Sequence, residues 1–259
     1  MKIKDNTILI TGGTSGIGLE LAKQLKSSGN TVIITGRDEV KLKQSQREVP
    51  GIHVYQSDVG ESTAISALYT KVIADFPELN VVINNAGIMR MLNLMRSNDG
   101  QHIEQEVDVN LLGPILMVAQ FLPHLMTKPE SAIVNVSSGL AFIPLISAPI
   151  YGATKAGLHA YTQALRIQLE NTTVKVFELA PPPTGTALLD NFGSASSNSA
   201  SRGVMKTDKM VNVAIKAIAN NVYEIRPGIS NILKIMSRLA PNFMLNQLSK
   251  LAKEEIRKA

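Results

Sequence analysis

Short apolar runs alternate with amphipathic segments along most of the chain. Six runs are rich in β-branched or other apolar residues, end at a glycine or a polar residue, and are predicted as strands: 7–10, 31–35, 52–56, 80–83, 132–136 and 173–178. Helical periodicity fills the intervals between them, at 16–28, 39–48, 62–75, 101–126, 152–170 and 207–220. Because the strands are apolar throughout and not alternating, we expect an α/β fold, a doubly wound parallel sheet with helices on both faces.

Two regions depart from this alternation. The segment 187–206 is dominated by serine, asparagine and glycine, and we expect it to be a mobile loop beside the substrate. After Arg226-Pro227-Gly228, two amphipathic helices are predicted at 229–239 and 242–257, so a C-terminal helical extension covers about 227–259. No linker or repeat divides the chain, which predicts a single domain over 1–259.

The composition limits the kinds of site that the chain can form. The 259 residues include no cysteine, which excludes disulfides, thiolate zinc sites, iron–sulfur clusters and cysteine nucleophiles, and favours a cytoplasmic location. The histidines have no metal-ligand spacing with one another or with carboxylates, so no metal is predicted; they are His53, His102, His124 and His159.

Charge and hydropathy limit the kinds of partner that the chain is expected to bind. The net charge of +5 is spread along a chain with 4% aromatic residues and no tryptophan, so it offers neither a basic stripe nor stacking platforms. We therefore expect no nucleic-acid partner and an affinity for small anions. No apolar run reaches the roughly 18 to 20 residues that cross a bilayer, so no membrane span is predicted.

A glycine-rich turn separates the first strand from the first helix. Glycines in this position let the main chain approach a pyrophosphate, and the helix N-terminus supplies free N–H groups. The candidate cofactor residues of this turn are Gly12, Thr14, Ser15, Gly16, Ile17 and Gly18. Their spacing is Gly-x-x-x-Gly-x-Gly, which differs from the G-x-G-x-x-G of long-chain dehydrogenases.

Over residues 5–225 the chain resembles the short-chain dehydrogenase/reductase family, in its single-domain branch. Besides the glycine turn, the resemblance rests on Asp58-Val59 after the third strand, on the Asn84-Asn85-Ala86-Gly87 motif, and on four dispersed residues at the family's spacing: Asn110, Ser138, Tyr151 and Lys155. It implies a Rossmann-like sheet, a nicotinamide dinucleotide bound by Asp58, Val59, Asn85, Ala86 and Gly87, and a catalytic tetrad formed by the four dispersed residues. The segments 122–126 and 137–142 are most similar to oxidoreductases encoded beside teichoic-acid D-alanylation genes.

The chemistry of the four residues agrees with that resemblance. Tyr151 and Lys155 are one helical turn apart, so both side chains share a face. The ammonium and an oxidised nicotinamide are both expected to lower the pKa of the phenol towards neutrality. Tyr151 is then the general acid for carbonyl reduction or the base for alcohol oxidation. Ser138 follows a strand at the edge where parallel sheets bind ligands, and is expected to bind the substrate oxygen. The resemblance implies that Asn110 orders a proton-relay water and that Tyr151 and Lys155 also contact the cofactor, Lys155 by holding the nicotinamide ribose.

The preference for NADP(H) depends on the end of the second strand. Gly36 stands where an acidic residue would bind the ribose hydroxyls, and Arg37 follows it, which favours NADP(H). The alternative places Asp38 on the ribose and predicts NAD(H). Beyond the sixth strand, the run of prolines over 181–183 replaces the family's Pro-Gly, while Thr184 and Thr186 are retained as candidates for the carboxamide contact.

These features predict an NADP-dependent oxidoreductase acting on a carbonyl or secondary alcohol. The apolar segment 140–146 follows Ser138 directly and should border a largely apolar small-molecule substrate. The alternative is a dinucleotide-binding redox sensor or regulator without turnover. Apolar surface on the helices at 101–126 and 152–170 predicts a homodimer or homotetramer, as is common in the family.

Overall fold

The computed structural model describes residues 1–95, 100–185, 204–247 and 249. Seven strands form one parallel sheet in the order β3-β2-β1-β4-β5-β6-β7. Their bounds are β1 Thr7–Ile10, β2 Thr31–Gly36, β3 His53–Gln56, β4 Leu79–Asn84, β5 Ser131–Val136, β6 Val174–Leu179 and β7 Glu224–Ile225. The order reverses between β1 and β4, and in such sheets ligands bind outside the carboxyl ends of the strands at this point.

Eight helices of at least eight residues connect or follow the strands of the described chain. They are α1 Gly16–Ser27, α2 Glu39–Glu48, α3 Ser62–Asp75, α4 Gly100–Val107, α5 Gly113–Leu125, α6 Pro149–Gln168, α7 Thr207–Ala219 and α8 Ile229–Leu239. A single turn of 3-10 helix at Gly139–Ala141 follows β5.

The sheet is covered on both faces, as the continuous apolar strands predict. Along β1, Ile8 and Ile10 pack with side chains of α1 and α7, such as Leu21 and Met210, on one face. The intervening Leu9 belongs to the opposite face, which α3, α5 and α6 cover. Burial of apolar area on both sides, at roughly 25 cal/mol per Å², is the main stabilising contribution and fixes the carboxyl edge of the sheet. The doubly wound, Rossmann-like α/β architecture is confirmed.

The predicted long helix over 101–126 is interrupted. A turn of π-helix at Asp108–Leu112 separates α4 from α5. Asn110 lies inside this turn, is fully buried, and forms side-chain hydrogen bonds with the main chain of Ile88, which hold the irregular geometry in place. Such turns are frequent at functional sites, and hydrophobic periodicity alone does not reveal them.

Two other boundaries differ from the sequence prediction. Helix α6 begins at Pro149 and not at 152, because proline is well suited to the first turn of a helix. The two-residue strand β7 was not predicted, since two residues are too few for a periodicity. Tyr151 consequently lies in the first turn of α6.

Parts of the remaining predictions lie outside the described residues. Of the predicted loop 187–206, residues 204–206 are described, and Met205 forms an isolated parallel bridge with Thr184. In the C-terminal extension, α8 agrees with the predicted 229–239, and residues 241–247 are helical. Within the described ranges no helix combines the length and the apolar character needed to cross a membrane.

Candidate active site

The glycine turn lies at the carboxyl end of β1, beside the residues that follow β4. Gly12 has a φ of +64°, and a Cβ atom there would lie 2.7 Å from the Cα atom of Ala86. The Thr11 hydroxyl accepts hydrogen bonds from the main-chain N–H groups of Asn85 at 3.0 Å and Ala86 at 3.1 Å. The Asn85 amide donates to the carbonyls of Thr11 at 2.9 Å and Gly12 at 3.0 Å. The two loops are therefore locked together.

The N-terminus of α1 is open to an anion. Ser15 is the N-cap residue in an extended conformation, and its side chain makes no capping hydrogen bond. No acidic residue occurs in the first turn, which contains Gly16, Ile17 and Gly18, and Thr14 lies directly before the cap. The unpaired N–H groups and the positive end of the helix dipole suit a pyrophosphate.

The end of β2 carries the side chains that bear on cofactor choice. Arg37 is half exposed, and its Nη1 lies 3.7 Å from Oδ2 of Asp58. Asp38 is the N-cap of α2, and its Oδ1 accepts from the N–H groups of Val40 at 2.9 Å and Lys41 at 3.1 Å. Asp58 caps its own turn by accepting from Gly60, and Val59 beside it is buried. The Asp38 carboxylate thus has a structural role, whereas the Arg37 guanidinium faces solvent.

The four predicted catalytic residues come from three segments of the chain, the π turn, the end of β5 and helix α6, and are all buried. Their exposed fractions are 0% for Asn110, 9% for Ser138, 7% for Tyr151 and 3% for Lys155. The Lys155 ammonium donates to the carbonyl of Val136 at 2.9 Å and lies 5.7 Å from the centre of the Tyr151 ring. The Ser138 hydroxyl oxygen accepts from the N–H of Leu140 at 3.1 Å, so its hydrogen is available for another acceptor.

Gly87 separates Asn110 from Lys155. A Cβ atom at position 87 would lie 3.3 Å from Oδ1 of Asn110 and 3.4 Å from Nζ of Lys155. A larger residue would therefore fill the space between the amide and the ammonium. The Asn110 amide also donates to the carbonyl of Ile88 at 2.8 Å and to the Thr154 hydroxyl at 3.3 Å, which fixes its orientation.

Burial has the largest effect on the pKa values of Tyr151 and Lys155. Burial is the main cause that raises the pKa of Tyr151 to about 12. The charge of Glu106 also raises this pKa, whereas a hydrogen bond with Ser138 lowers it. Burial also lowers the pKa of Lys155 to about 8. Desolvation dominates the pKa of this phenol in the protein itself, so the lowering expected from the ammonium and an oxidised nicotinamide together stays a prediction for the dinucleotide complex. Tyr151 holds its proton at neutral pH.

The region after β6 is only partly described. Thr184 is buried, and its hydroxyl donates to the carbonyl of Pro182 at 2.7 Å, so the side chain is already engaged. Its main-chain N–H is the group that can face a carboxamide. Thr186, the second predicted contact, lies outside the described residues.

A cavity of about 610 Å³ lies next to Tyr151, because Leu140 and Leu145 of its lining pack against the cluster that contains this side chain. The lining comes from the predicted segment 140–146, from residues 92–95 and from the first turns of α6. Asn93 supplies the cavity with an amide, and nearly all other lining side chains are apolar. The cavity suits an uncharged, largely apolar molecule.

Two buried acidic groups near the site were not identified from the sequence. Glu106 is 2% exposed, and its Oε1 has no hydrogen-bond partner among the described residues. Burial raises the pKa of its carboxyl, whereas a hydrogen bond with the main chain of Arg90 and the charge of Arg90 lower it to a smaller extent. Glu178 is fully buried on β6. Glu106 precedes Asn110 by one helical turn, and this spacing is the sequence signal that could have identified it. Glu178 lies near the site because β6 pairs with β5, and the spacing of residues in the sequence does not show this pairing.

Comparison with known proteins places the chain in a family. A family model for short chain dehydrogenase matches residues 6–197. DltE of Bacillus subtilis, an uncharacterized oxidoreductase, is 47% identical over 189 residues, which cover 73% of this chain and 75% of that protein. The expected similarity to the D-alanylation-associated oxidoreductases is thus confirmed.

Solved structures agree with this placement. A Burkholderia cenocepacia short chain dehydrogenase in complex with NADP has a TM-score of 0.82 at 22% identity, covering 96% of this chain and 99% of that one. A 3-ketoacyl-(acyl-carrier-protein) reductase of Brucella melitensis complexed with NADH has a TM-score of 0.77 at 26% identity, covering 83% and 91%. The chain belongs to the short-chain dehydrogenase family of oxidoreductases.

Proposed function

We propose that this chain reduces a carbonyl group on a largely apolar small molecule, using NADP(H). The observation that carries the proposal is the burial of Ser138, Tyr151 and Lys155 together at the carboxyl edge of the sheet, beside an apolar cavity. The glycine turn and the open N-terminus of α1 provide a fitting cradle for a dinucleotide pyrophosphate. The dinucleotides in the two solved structures compared above support a nicotinamide cofactor.

Each catalytic residue has a separate role in the proposed reaction. When bound, the reduced dinucleotide supplies a hydride to the carbonyl carbon. Ser138 donates a hydrogen bond to the carbonyl oxygen as negative charge develops there. Tyr151 transfers its phenolic proton to that oxygen and becomes a phenolate, which the positive charge of Lys155 stabilises. As the family resemblance implies, Asn110 orders a water near Lys155, through which the proton on Tyr151 is restored.

A direct assay tests this function. The protein is mixed with NADPH and a panel of apolar ketones and aldehydes, and the loss of nicotinamide absorbance is followed. We expect turnover with uncharged apolar carbonyls and little with charged ones, because the cavity wall offers no charged group. If NADPH binds but no carbonyl is reduced, the redox-sensor alternative is favoured. If neither NADPH nor NADH binds, both functions are excluded.

Removing the Arg37 charge should separate the two cofactors. The Arg37→Ala variant is expected to bind NADPH about 10- to 100-fold more weakly, because the guanidinium loses its charge-assisted contacts with the 2′-phosphate. NADH affinity should stay within about twofold, since NADH has no such phosphate. Fluorescence titration with each nucleotide measures both affinities.

The matched control is Lys43→Ala, which removes an exposed positive charge on α2 that pairs with Glu39 at 2.7 Å. This control should leave the NADPH affinity nearly unchanged. An Arg37→Ala variant with unchanged NADPH affinity would favour the alternative assignment, in which Asp38 contacts the ribose, whereas equal loss of NADH and NADPH would indicate a general disturbance of the site.

The Lys155 ammonium should determine how kcat/KM for carbonyl reduction falls at alkaline pH. The pKa of Lys155 is lowered to about 8, so the side chain is positive below that pH and neutral above it. Because the positive charge stabilises the Tyr151 phenolate, kcat/KM for carbonyl reduction should be flat at lower pH and fall above pH 8. The Lys155→Arg variant keeps its charge, so its profile should lack this fall even if its absolute rate is lower. A fall at the same pH in the variant would assign this dependence to another group.

The remaining expectations stay predictions. A single domain over 1–259 and a cytoplasmic location fit the proposed enzyme. The homodimer or homotetramer expected from the helices at 101–126 and 152–170 is supported by the exposed apolar side chains of Leu112 in the π turn and Ile167 on α6.

A further inference from the structure

A buried carboxylate lies directly behind the wall of the substrate cavity. Glu178 on β6 is fully buried, and both of its oxygens are engaged. The Ser137 hydroxyl donates to Oε1 at 2.5 Å, and Nδ1 of His159 on α6 lies 2.7 Å from Oε2. Since a carboxylate accepts hydrogen bonds, Nδ1 of His159 carries the hydrogen in this pair. The carboxylate therefore joins the end of β5 to the middle of α6.

The same imidazole supports a side chain that lines the cavity. The rings of His159 and Phe142 meet edge to face, with centroids 5.0 Å apart and planes at 85°. The Lys234 ammonium of α8 lies 5.5 Å from the centre of the Phe142 ring and also contacts Glu224. Phe142 belongs to the cavity wall. Its orientation thus depends on His159 and on Lys234.

The cluster carries its own positive charges. Atoms of His159, Glu178 and Glu224 lie within 4.8 Å of one another, a spacing at which such groups can hold a metal ion. The Lys234 ammonium and the Arg226 guanidinium, the latter at 3.4 Å, both contact Glu224. We therefore interpret the cluster as an ion-pair network and not as a metal site.

The network acts on the turn that presents Ser138. Ser137 immediately precedes that residue, and its N–H donates to Leu179 at 2.8 Å. On the other side, the N–H of Gly139 donates to Pro181, also at 2.8 Å. The bond from the Ser137 hydroxyl to Glu178 adds a side-chain anchor to these two main-chain anchors. A shift of about 1 Å in such a turn can cost about 100-fold in rate.

We propose that Glu178 and His159 are positioning residues, through which the Ser137 anchor fixes Ser138 for turnover and the imidazole fixes Phe142 for substrate binding. This inference rests on the proposed reductase function. It predicts that the two residues affect different kinetic constants, although they contact each other. A purely structural pair would instead change stability and both constants together.

Two substitutions separate these effects. Glu178→Gln removes the charge but keeps an oxygen for Ser137, while its N–H₂ group donates to Nδ1 of His159 in the other tautomer, so the imidazole keeps its place. This variant should lower kcat about tenfold, because the neutral oxygen is a weaker anchor for Ser137. His159→Asn keeps an N–H towards Glu178 but removes the ring facing Phe142, and should raise KM for apolar ketones about fivefold with kcat nearly retained. His124→Asn is the matched control, because His124 contacts the carbonyl of Leu79 at the opposite end of the sheet.

A second readout does not need turnover. Nitrogen-15 NMR of the imidazoles should show His159 protonated on Nδ1, identified by the resonances missing from His159→Asn. The uncharged dye N-phenyl-1-naphthylamine should bind to the cavity of this variant more weakly than to the wild type or to His124→Asn. A wild type that reduces no ketone would contradict the proposed function, while the tautomer and the dye affinities would still decide the positioning role.

Three results would overturn the inference. The first is a His159 imidazole with its hydrogen on Nε2 and a free Nδ1. The second is wild-type kcat and KM in both variants. The third is equal loss of both constants together with NADPH affinity, since that pattern indicates general destabilisation. If Glu178→Gln does not fold, His159→Asn and the NMR spectrum decide the question.

Discussion

Replacing Tyr151 with phenylalanine should lower kcat for carbonyl reduction by about 10²- to 10⁴-fold, the usual contribution of a general acid. The substitution removes the hydroxyl that holds a proton at neutral pH, since the pKa of this phenol is raised to about 12 by burial. The ring remains packed against Met89 and Ala148, so the fold and the dinucleotide cradle should be preserved. Stopped-flow measurement of NADPH oxidation with a saturating ketone gives kcat, and fluorescence titration gives the NADPH affinity.

The matched control is Tyr161→Phe. Tyr161 lies on the same helix, α6, and burial also raises its pKa, but it packs in the core on the face covered by α3 and α5. Its loss should leave kcat within about twofold, because it is remote from the proposed proton transfer. A Tyr151→Phe variant with near-wild-type kcat would rule out this residue as the proton donor.

Replacing Gly12 with alanine should weaken the binding of both NADPH and NADH by at least about 100-fold, because the phosphate-binding turn can no longer keep its shape. An alanine at this position meets two penalties. The φ of +64° is unfavourable for any residue with a side chain, and the new Cβ would lie 2.7 Å from the Cα atom of Ala86. The main chain of one of the two loops must move, and both loops line the cradle.

The control for backbone strain is Gly29→Ala. Gly29 has a φ of +86°, but a Cβ atom there would meet nothing within 4 Å. This variant should lose about 1 kcal/mol of unfolding free energy from strain alone and keep its dinucleotide affinity. Thermal denaturation and nucleotide titration of both variants separate strain from close contact. Equal nucleotide affinities in the two variants would mean that the Gly12 contact with Ala86 is dispensable.

Local sequence patterns were sufficient for the parts of the site that depend on local structure. The one-turn spacing of Tyr151 and Lys155, and the glycines between a strand and a helix, determine geometry within a few residues of the chain. The same holds for Ser138, which follows a recognisable strand. The elements on which these residues lie agree with the structure, because local helix and strand geometry determines them; the roles of the residues stay predictions.

Interactions between distant segments could not be predicted in the same way. Glu178 meets Ser137 across neighbouring strands and His159 on a covering helix, so its partners depend on sheet order and helix packing. The effect of burial on Tyr151 likewise depends on tertiary packing, which is why sequence spacing alone did not reveal that desolvation raises its pKa. Pro149, by contrast, was a local signal for the start of α6.

The π turn at Asp108–Leu112 accommodates one extra residue between two helices. A π turn holds about one residue more than an α-helical turn, yet each completes a full rotation, so α4 and α5 keep their rotational phase across it. Deleting one residue from this segment would therefore make the helix regular without rotating α4 relative to α5. The wide turn that places the Asn110 amide beside Ile88 would be lost, however, and the hydrogen bonds between these two residues would break. A one-residue deletion here is thus expected to preserve the packing of both helices while removing the amide from the site.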